Sequence, residues 1–341
     1  MKREKDMTHN LFGKLPDGTP IRIYTIKSER VTAKILNLGG VLQSLLVDGT
    51  DIVCGYDTVE DYLADNSYQG RLIGRVGNRT RNGEFVLNGK TYTLAKNDGG
   101  KHHLHGGPGG FGTKVWEIDE ADETHITLSL LSPDGDEGYP GNLFVKVTYA
   151  VFDDALTIAY NAISDADTPI NLTNHSYFNL EGVGSGDILS HRVQVHADTV
   201  TAVDSELIPT GEHPCVEGTP FDFKAVHTFG ERLDDSFTGY DHNFIFAGAP
   251  VGEVADIELP HVATFASDSL TMEVYTDQVG AQIYTGNFLG GKPDFKGGIE
   301  RRPRHAFCFE TQNEPDYLRL GGKPLHAGEL YHTVTAFRFV K

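Results

Sequence analysis

Hydrophobic residues recur at every second position from one end of the chain to the other. Val31, Ala33 and Ile35 form one such run, Ile126, Leu128 and Leu130 another, Val145, Val147, Tyr149 and Val151 a third, and Leu156, Ile158 and Tyr160 a fourth. A two-residue period puts successive side chains on opposite faces of an extended chain, so these segments predict half-buried antiparallel strands. Gly, Asp or Asn turn signals flank most of them. The first run loses its alternation at Leu36-Asn37-Leu38, just before Gly39-Gly40, which marks a strand end or a bulge. Asn88-Gly89, set between Phe85/Leu87 and Tyr92/Leu94, predicts a two-residue hairpin with positive φ at both turn positions, and Asp153-Asp154 predicts a weaker turn of similar kind. Helical periodicity is nearly absent. Thr58 with Asp61 three residues later predicts one short capped helical turn, running to about Ala64. No βαβ rhythm appears, which excludes Rossmann and TIM-barrel architectures. The expected fold is all-β, with two large twisted antiparallel sheets stacked and long loops carrying function.

Composition sharpens this picture. The 341 residues contain no low-complexity linker and no internal repeat, so one continuous domain spanning 1–341 is expected. With 39 Gly and 15 Pro the chain is cut into short segments, yet 39% hydrophobic content still builds a core, which excludes disordered, collagen-like and coiled-coil chains. A net charge of −19, spread along the sequence, repels phosphate backbones and anionic lipid, so no nucleic acid and no membrane partner is expected. Cys54, Cys215 and Cys308 match neither a zinc pattern nor a disulfide framework and fit a reducing cytoplasm. Met1–Asn10 is charged and lacks the apolar stretch of a secretory signal, and no later run approaches the ~18 apolar residues of a membrane span. The chain thus reads as soluble and intracellular. Glycosylation at Asn78, Asn171 or Asn174, each in an Asn-x-Ser/Thr sequon, would fall inside segments that carry candidate chemistry.

Some motifs fail on inspection. Gly107 to Lys114 has glycine spacing like a phosphate loop, but Thr113 and Lys114 stand in the wrong order and no helix follows. Gly182-Val-Gly184-Ser-Gly186 fits neither a nucleophile elbow nor a dinucleotide fingerprint and reads as a turn. In His102-His103-Leu104-His105, alternation would place His103 and His105 on one strand face, but no third ligand motif accompanies them, so no metal is assigned. Other segments concentrate polar groups where a plain strand or loop needs none: Asn78-Arg79, Asn171 through Asn179, Tyr240-Asp241-His242-Asn243, and Phe307 through Asn313. In the last, alternation places Ala306, Cys308 and Glu310 on one strand face. A carboxylate beside apolar neighbours is desolvated, which raises its pKa toward a useful base.

Taken together, Gly74-Arg75-Val76-Gly77-Asn78-Arg79, Leu104-His105-Gly106-Gly107, Asn174-His175-Ser176-Tyr177-Phe178-Asn179, Leu207-Ile208-Pro209-Thr210-Gly211, Asp241-His242-Asn243-Phe244, Gln282-Ile283-Tyr284-Thr285-Gly286-Asn287-Phe288 and Glu310-Thr311-Gln312-Asn313 resemble the aldose 1-epimerase (galactose mutarotase) family, in order and over nearly the whole chain. The resemblance implies a large antiparallel β-sandwich of the galactose mutarotase type whose open cleft binds a free hexose such as galactose or glucose. It implies Glu310 as general base and His175 as general acid, Asn78, Arg79, His105, Tyr177, Asp241 and Gln282 as sugar-binding residues, and Phe288 as a stacking surface. Interconversion of α and β anomers by one base and one acid calls for no cofactor and no metal. A small-molecule monosaccharide is the expected partner, and a homodimer is compatible with the sequence. Departures from the family pattern are Gly77 and Thr80, which replace the usual Ala and branched apolar residue, and Glu314, which stands where an aromatic often follows and would alter the cleft rim. Two alternatives accompany this reading: a hexose-6-phosphate 1-epimerase, which wants a basic phosphate pocket, and a carbohydrate-binding sandwich without catalysis.

Overall fold

The computed structural model describes residues 9–341; most of the charged stretch Met1–Asn10 lies outside them. The strands predicted from alternation are present as Val31–Leu36, His125–Ser132, Leu143–Val151 and Ala155–Ser164. The first ends at Leu36, where Gly39 and Gly40 take φ of 63° and 55°. Asn88 and Gly89 turn the hairpin between Glu84–Leu87 and Lys90–Thr93 with φ of 50° and 75°, as the mirror-image turn requires. Asp153-Asp154 also closes a hairpin, through reciprocal bonds between Phe152 and Ala155, but neither aspartate has positive φ. Its turn therefore differs in kind from the one predicted: Asp lacks the glycine that makes the left-handed region cheap. The single α-helix among the described residues, Val59–Ala64, starts where Thr58 accepts from the Asp61 N–H.

A ten-stranded antiparallel sheet forms one layer, in the order Glu117–Ala121, His125–Ser132, Leu143–Val151, Ala155–Ser164, Leu330–Val340, Thr271–Thr276, Ile257–Ala266, Arg192–Val195, His227–Thr228, with Val251–Val254 paired to Ile257–Ala266. Where one large partner sheet was expected, the opposing layer is split. One five-stranded part runs in sequence order from His9–Lys14 to Thr50–Asp51; the other runs Tyr177–Phe178, Phe307–Gln312, Gly280–Tyr284, Asp241–Phe246, Ala197–Val200. Both share one apolar core with the ten-stranded sheet.

The second five-stranded sheet holds Glu310 and several other candidate site residues, and its register explains how. Gln282 pairs with Glu310 and with Asn243, Tyr284 with Cys308 and with Asp241, and Tyr177 with Cys308. Directly paired residues share a face, so Tyr177, Cys308, Glu310, Gln282, Tyr284 and Asp241 all stand on one side. The other side presents Phe178, Phe307, Phe309, Ala281, Ile283 and Phe244, all buried in the core. Phe307 stacks on Phe265 at 4.6 Å and Phe178 meets Phe337 at 5.3 Å, clamping this sheet to the large one. Apolar burial of this kind is worth ~25 cal/mol per Å².

Connections around the sheet are fixed by buried polar groups. Arg75, 1% exposed, donates from Nη1 to the carbonyls of Pro140 and Gly141 and to Thr168 Oγ1, and from Nη2 to the carbonyl and hydroxyl of Ser132. It binds the segment that carries Asn78 and Arg79 to the end of the large sheet. Asn78, Asn171 and Asn174, the three sequon asparagines, are all buried. The cysteines are all free, with Cys54 and Cys308 buried and Cys215 exposed. No described helix is long and apolar enough to cross a membrane.

Arg75→Met keeps much of the side-chain volume but leaves these acceptors without their donor. It should lower unfolding free energy by about 3 kcal/mol or more in urea titrations; a loss below ~1 kcal/mol would show that the guanidinium network is dispensable.

Candidate active site

On the polar face of the second five-stranded sheet an open cleft of about 750 Å³ is lined by Asn66, Ser67, Tyr68, Asn78, Arg79, Leu104, His105, His175, Tyr177, Asp241, Gln282, Tyr284, Phe288, Leu289 and Glu310. Every residue singled out above as catalytic or sugar-binding, from Asn78 to Glu310, lines this cleft.

Glu310 sits near the middle of Phe307–Gln312 and is 2% exposed. Burial pushes its carboxyl well above the ordinary carboxylate range; the Asp241 charge adds to the rise and Arg79 opposes it. Glu310 Oε2 and Gln282 Oε1 are buried without a protein hydrogen-bond partner. A buried acceptor left unpaired costs stability, so each of these oxygens is free to accept a further donor. Asp241 accepts from Gln282 Nε2 at 2.8 Å, and burial raises its carboxyl as well.

Across the cleft, His175 follows the short strand Thr173–Asn174, and its backbone N–H and C=O pair with Arg71 and Gly70. Asn174 is turned away from the cleft: it accepts from Ser176 and donates to Gly70, bracing the turn that presents His175. His175 Nε2 lies 3.7 Å from Glu310 Oε1, close but without a direct hydrogen bond. Burial pulls the His175 imidazole down to about 4, so it is neutral at physiological pH. The rings of Tyr68, Tyr177 and Tyr284 surround it.

The third wall joins two loops. Arg79–Thr80 pairs with His103–Leu104, and beyond this short ladder Asn78 and His105 bind each other reciprocally: the Asn78 N–H donates to His105 Nδ1 at 3.2 Å, and the His105 N–H to the Asn78 carbonyl at 3.1 Å. Both take positive φ, 62° and 52°. Gly106 follows because nothing larger fits, since a Cβ there would lie 1.9 Å from the Gly74 carbonyl oxygen. Arg79 Nε donates to Asp98 Oδ2 at 2.8 Å, which holds the guanidinium at the cleft. Phe288, 79% exposed, stands at the mouth and stacks on Tyr284.

The positive φ of His105 breaks the alternation expected for His103 and His105. His103 turns inward, its Nδ1 against the Ala95 carbonyl and its Nε2 against the Tyr139 hydroxyl, and it does not line the cleft. Among the described residues, a different set offers metal-ligand types: His105, His175 and Glu310, with one ligand atom each, all within 4.8 Å. His105 does not fit such a role. Its Nδ1 accepts the Asn78 N–H, so its proton resides on Nε2 and neither nitrogen has a free lone pair. Glu314, expected at the cleft rim, does not line the cleft; it binds His213 and Thr201 instead. His242 packs its ring on Phe221 on the core side.

Sequence reasoning missed Asn66, Ser67 and Tyr68, which lie in a loop without periodicity, and Leu289, one residue past a quoted motif; Leu104 and Tyr284 it quoted within motifs but gave no role. Tyr284 was within reach, having the same strand parity as Gln282.

A family model for aldose 1-epimerase matches residues 22–338. The chain is 39% identical to galactose mutarotase of Homo sapiens, with 98% of each chain covered, and 34% identical to aldose 1-epimerase of Escherichia coli strain K12, covering 95% of this chain and 97% of that one. Among solved structures, galactose 1-epimerase from Lactobacillus acidophilus superposes with a TM-score of 0.85 at 26% identity over 98% of both chains, and an aldose epimerase homologue from C. elegans with 0.84 at 27% identity over 93% of this chain and 98% of that one. The fold, the order of the motifs and these matches agree, and the chain belongs to the aldose 1-epimerase family.

Proposed function

We propose that this protein is an aldose 1-epimerase, a mutarotase that interconverts the α and β anomers of a free hexose such as galactose or glucose, using Glu310 as base and His175 as acid within one continuous domain. The observation that carries this reading is the buried, facing pair of Glu310 and His175 in a cleft ringed by sugar-sized polar groups. Anomerisation removes a proton from the C1 hydroxyl and adds one to the ring oxygen. The ring opens to the aldehyde, rotates about C1–C2 and closes on the other carbonyl face. For this the pair's single proton must sit on His175 Nε2: the Glu310 carboxylate takes the hydroxyl proton while the imidazolium gives its Nε2 proton to the ring oxygen, which leaves neutral His175 and protonated Glu310, and closure reverses the roles. Each positioned acid or base is worth ~10² to ~10⁴ in rate, and orientation of the sugar adds to that. Asn78, Arg79, His105, Tyr177, Asp241 and Gln282 supply the donors and acceptors for the hydroxyls, and Phe288 offers an aromatic face to C–H patches.

The rival readings fit less well. Arg79 is the one Lys or Arg among the cleft-lining residues and is already paired with Asp98, which leaves a sugar phosphate without a dedicated counter-charge. A binding module has no use for a buried base facing a buried acid. The three free thiols suit a cytoplasmic setting.

Glu310→Gln keeps shape but removes the base, so kcat on galactose, followed by polarimetry, should fall at least ~10²-fold with little change in KM, and His175→Asn should do the same. Asp241→Ala should chiefly raise KM. Near-normal turnover in Glu310→Gln would remove that residue from the mechanism.

The pH profile carries the sign of the two shifts. The working pair holds one transferable proton and titrates as a unit. Burial disfavours the second proton by lowering His175 to about 4, and disfavours loss of the last by raising Glu310. Both changes widen the active window, so kcat/KM should hold its plateau from near pH 5 upward, with the alkaline limb displaced above the ordinary carboxylate range. A narrow bell confined between ~4.3 and ~6.5, the ordinary Glu and His values, would contradict the assignment.

All protons moved in this scheme are bound to oxygen. Galactose incubated in heavy water should equilibrate its anomers without deuterium at C1 or C2 by proton NMR. Deuterium at C2, or a ketose product, would point to an enediol isomerase instead.

A further inference from the structure

The strand that supplies Glu310 also supplies the group behind His175. Cys308 lies two residues before Glu310 and so on the same face, and its Sγ is 3.4 Å from His175 Nδ1. It is fully buried. The other ring nitrogen, Nε2, faces Glu310. We propose that Cys308 is a positioning residue for the reaction: its sulfur accepts the Nδ1–H of His175 and holds the ring so that Nε2 is the nitrogen that gives and takes the proton. This deepens the proposed function and rests on its assignment of His175 as the acid.

An imidazole that shuttles a proton through Nε2 must keep its other proton on Nδ1 in both states, because the neutral ring has only one. An acceptor on the Nδ1 side is therefore required, and Cys308 is placed there, with the His175 backbone carbonyl as a second favourable group. The acceptor is also uncharged: burial pushes the Cys308 thiol well above its ordinary range and keeps it protonated. Where a carboxylate backs a catalytic histidine, it stabilises the imidazolium. A thiol fixes the ring without that stabilisation. The protonated ring then surrenders its proton readily, which suits an ether-like ring oxygen, a poor base. The groups facing His175 are Glu310, the rings of Tyr68, His105, Tyr177 and Tyr284, and Cys308. Asp65 and Arg71, farther off, act on it in opposite senses.

The test begins with wild-type protein labelled with ¹⁵N-histidine. At pH 7 the His175 ring should carry its proton on Nδ1; a proton on Nε2 would mean that the thiol donates instead, and would overturn the inference. Cys308→Ala removes the acceptor and should lower kcat about tenfold with KM within about twofold of wild type. Cys308→Ser should restore most of the turnover and move the acid limb of the pH profile upward, because a hydroxyl oxygen accepts better than sulfur and favours the imidazolium. Unchanged kcat and acid limb in both variants would also overturn it. If Cys308→Ala fails to fold, the wild-type tautomer and the serine variant decide. Full activity in His175→Asn would instead defeat the functional reading itself, whereas an inactive His175→Asn beside unaffected Cys308 variants would defeat this inference alone.

Discussion

A carboxyl group buried near the centre of a β-sheet is costly, and the arrangement around Glu310 is organised by that cost. Its strand has one face committed to the apolar core through Phe307 and Phe309, which leaves only the opposite face for polar groups. Glu310 must share that face with Cys308, and cross-strand pairing brings Gln282, Tyr284 and Asp241 beside it. The pleat thus does two jobs with one strand: it packs the sandwich and it desolvates the Glu310 carboxyl. Shifting the register by one residue would exchange the two faces and destroy both.

His175, Asn78 and His105 lie in loops, and Arg79 in a two-residue strand outside this sheet, with no extended pleat to aim them, and buried polar contacts take its place. Asn78 and His105 aim each other, Asp98 holds Arg79, and Asn174 with Ser176 shapes the turn before Tyr177. Beneath the Asn66-Ser67-Tyr68 wall, the Asp65 carboxylate accepts from the backbone of Ser67 and Gln69 and from the Tyr56 hydroxyl, with Arg71 and Arg301 both within 4 Å. An ion network buried this deeply is weak evidence for net stability. Its visible effect is on geometry, because the Tyr177 hydroxyl donates to the Ser67 carbonyl and so ties the loop to the site sheet.

This division explains what could be read from the sequence. Strands announce themselves by period, so Val145 to Val151, the Asn88-Gly89 turn and the shared face of Cys308 and Glu310 were legible. The split of one layer into two five-stranded parts was not, because pairing between distant strands leaves no local trace. His103 and His105 were misjudged for a specific reason: alternation holds only while φ stays negative, and His105 leaves the extended region at the residue that matters. Tyr68 takes φ of 56° in a loop and carries no periodic signal at all. Glu314 was assigned to the rim by neighbourhood with Gln312 and Asn313, yet the strand ends at Gln312, and the chain beyond it turns toward His213.

The chemistry suits a low-dielectric site. The substrate proposed here is uncharged, and the reaction carries one proton from one side of it to the other, so the net charge of the cleft is the same before and after. Burial that would obstruct a reaction creating charge instead reverses the ordinary order of proton affinity: it raises Glu310 well above its usual range and lowers His175 to about 4, so the pair's one proton rests on Glu310 until the imidazolium form is drawn on. A lone cation, Arg79, tied to Asp98, tempers the carboxylates without offering a site for an anionic sugar. The protein's overall charge of −19 is then no obstacle, since a neutral hexose is indifferent to it. What the cleft must supply is alignment: the pleat fixes Glu310, Gln282, Tyr284 and Asp241, hydrogen bonds hold Asn78 to His105 and Arg79 to Asp98, and the exposed ring of Phe288 stands at the entrance where a sugar would arrive.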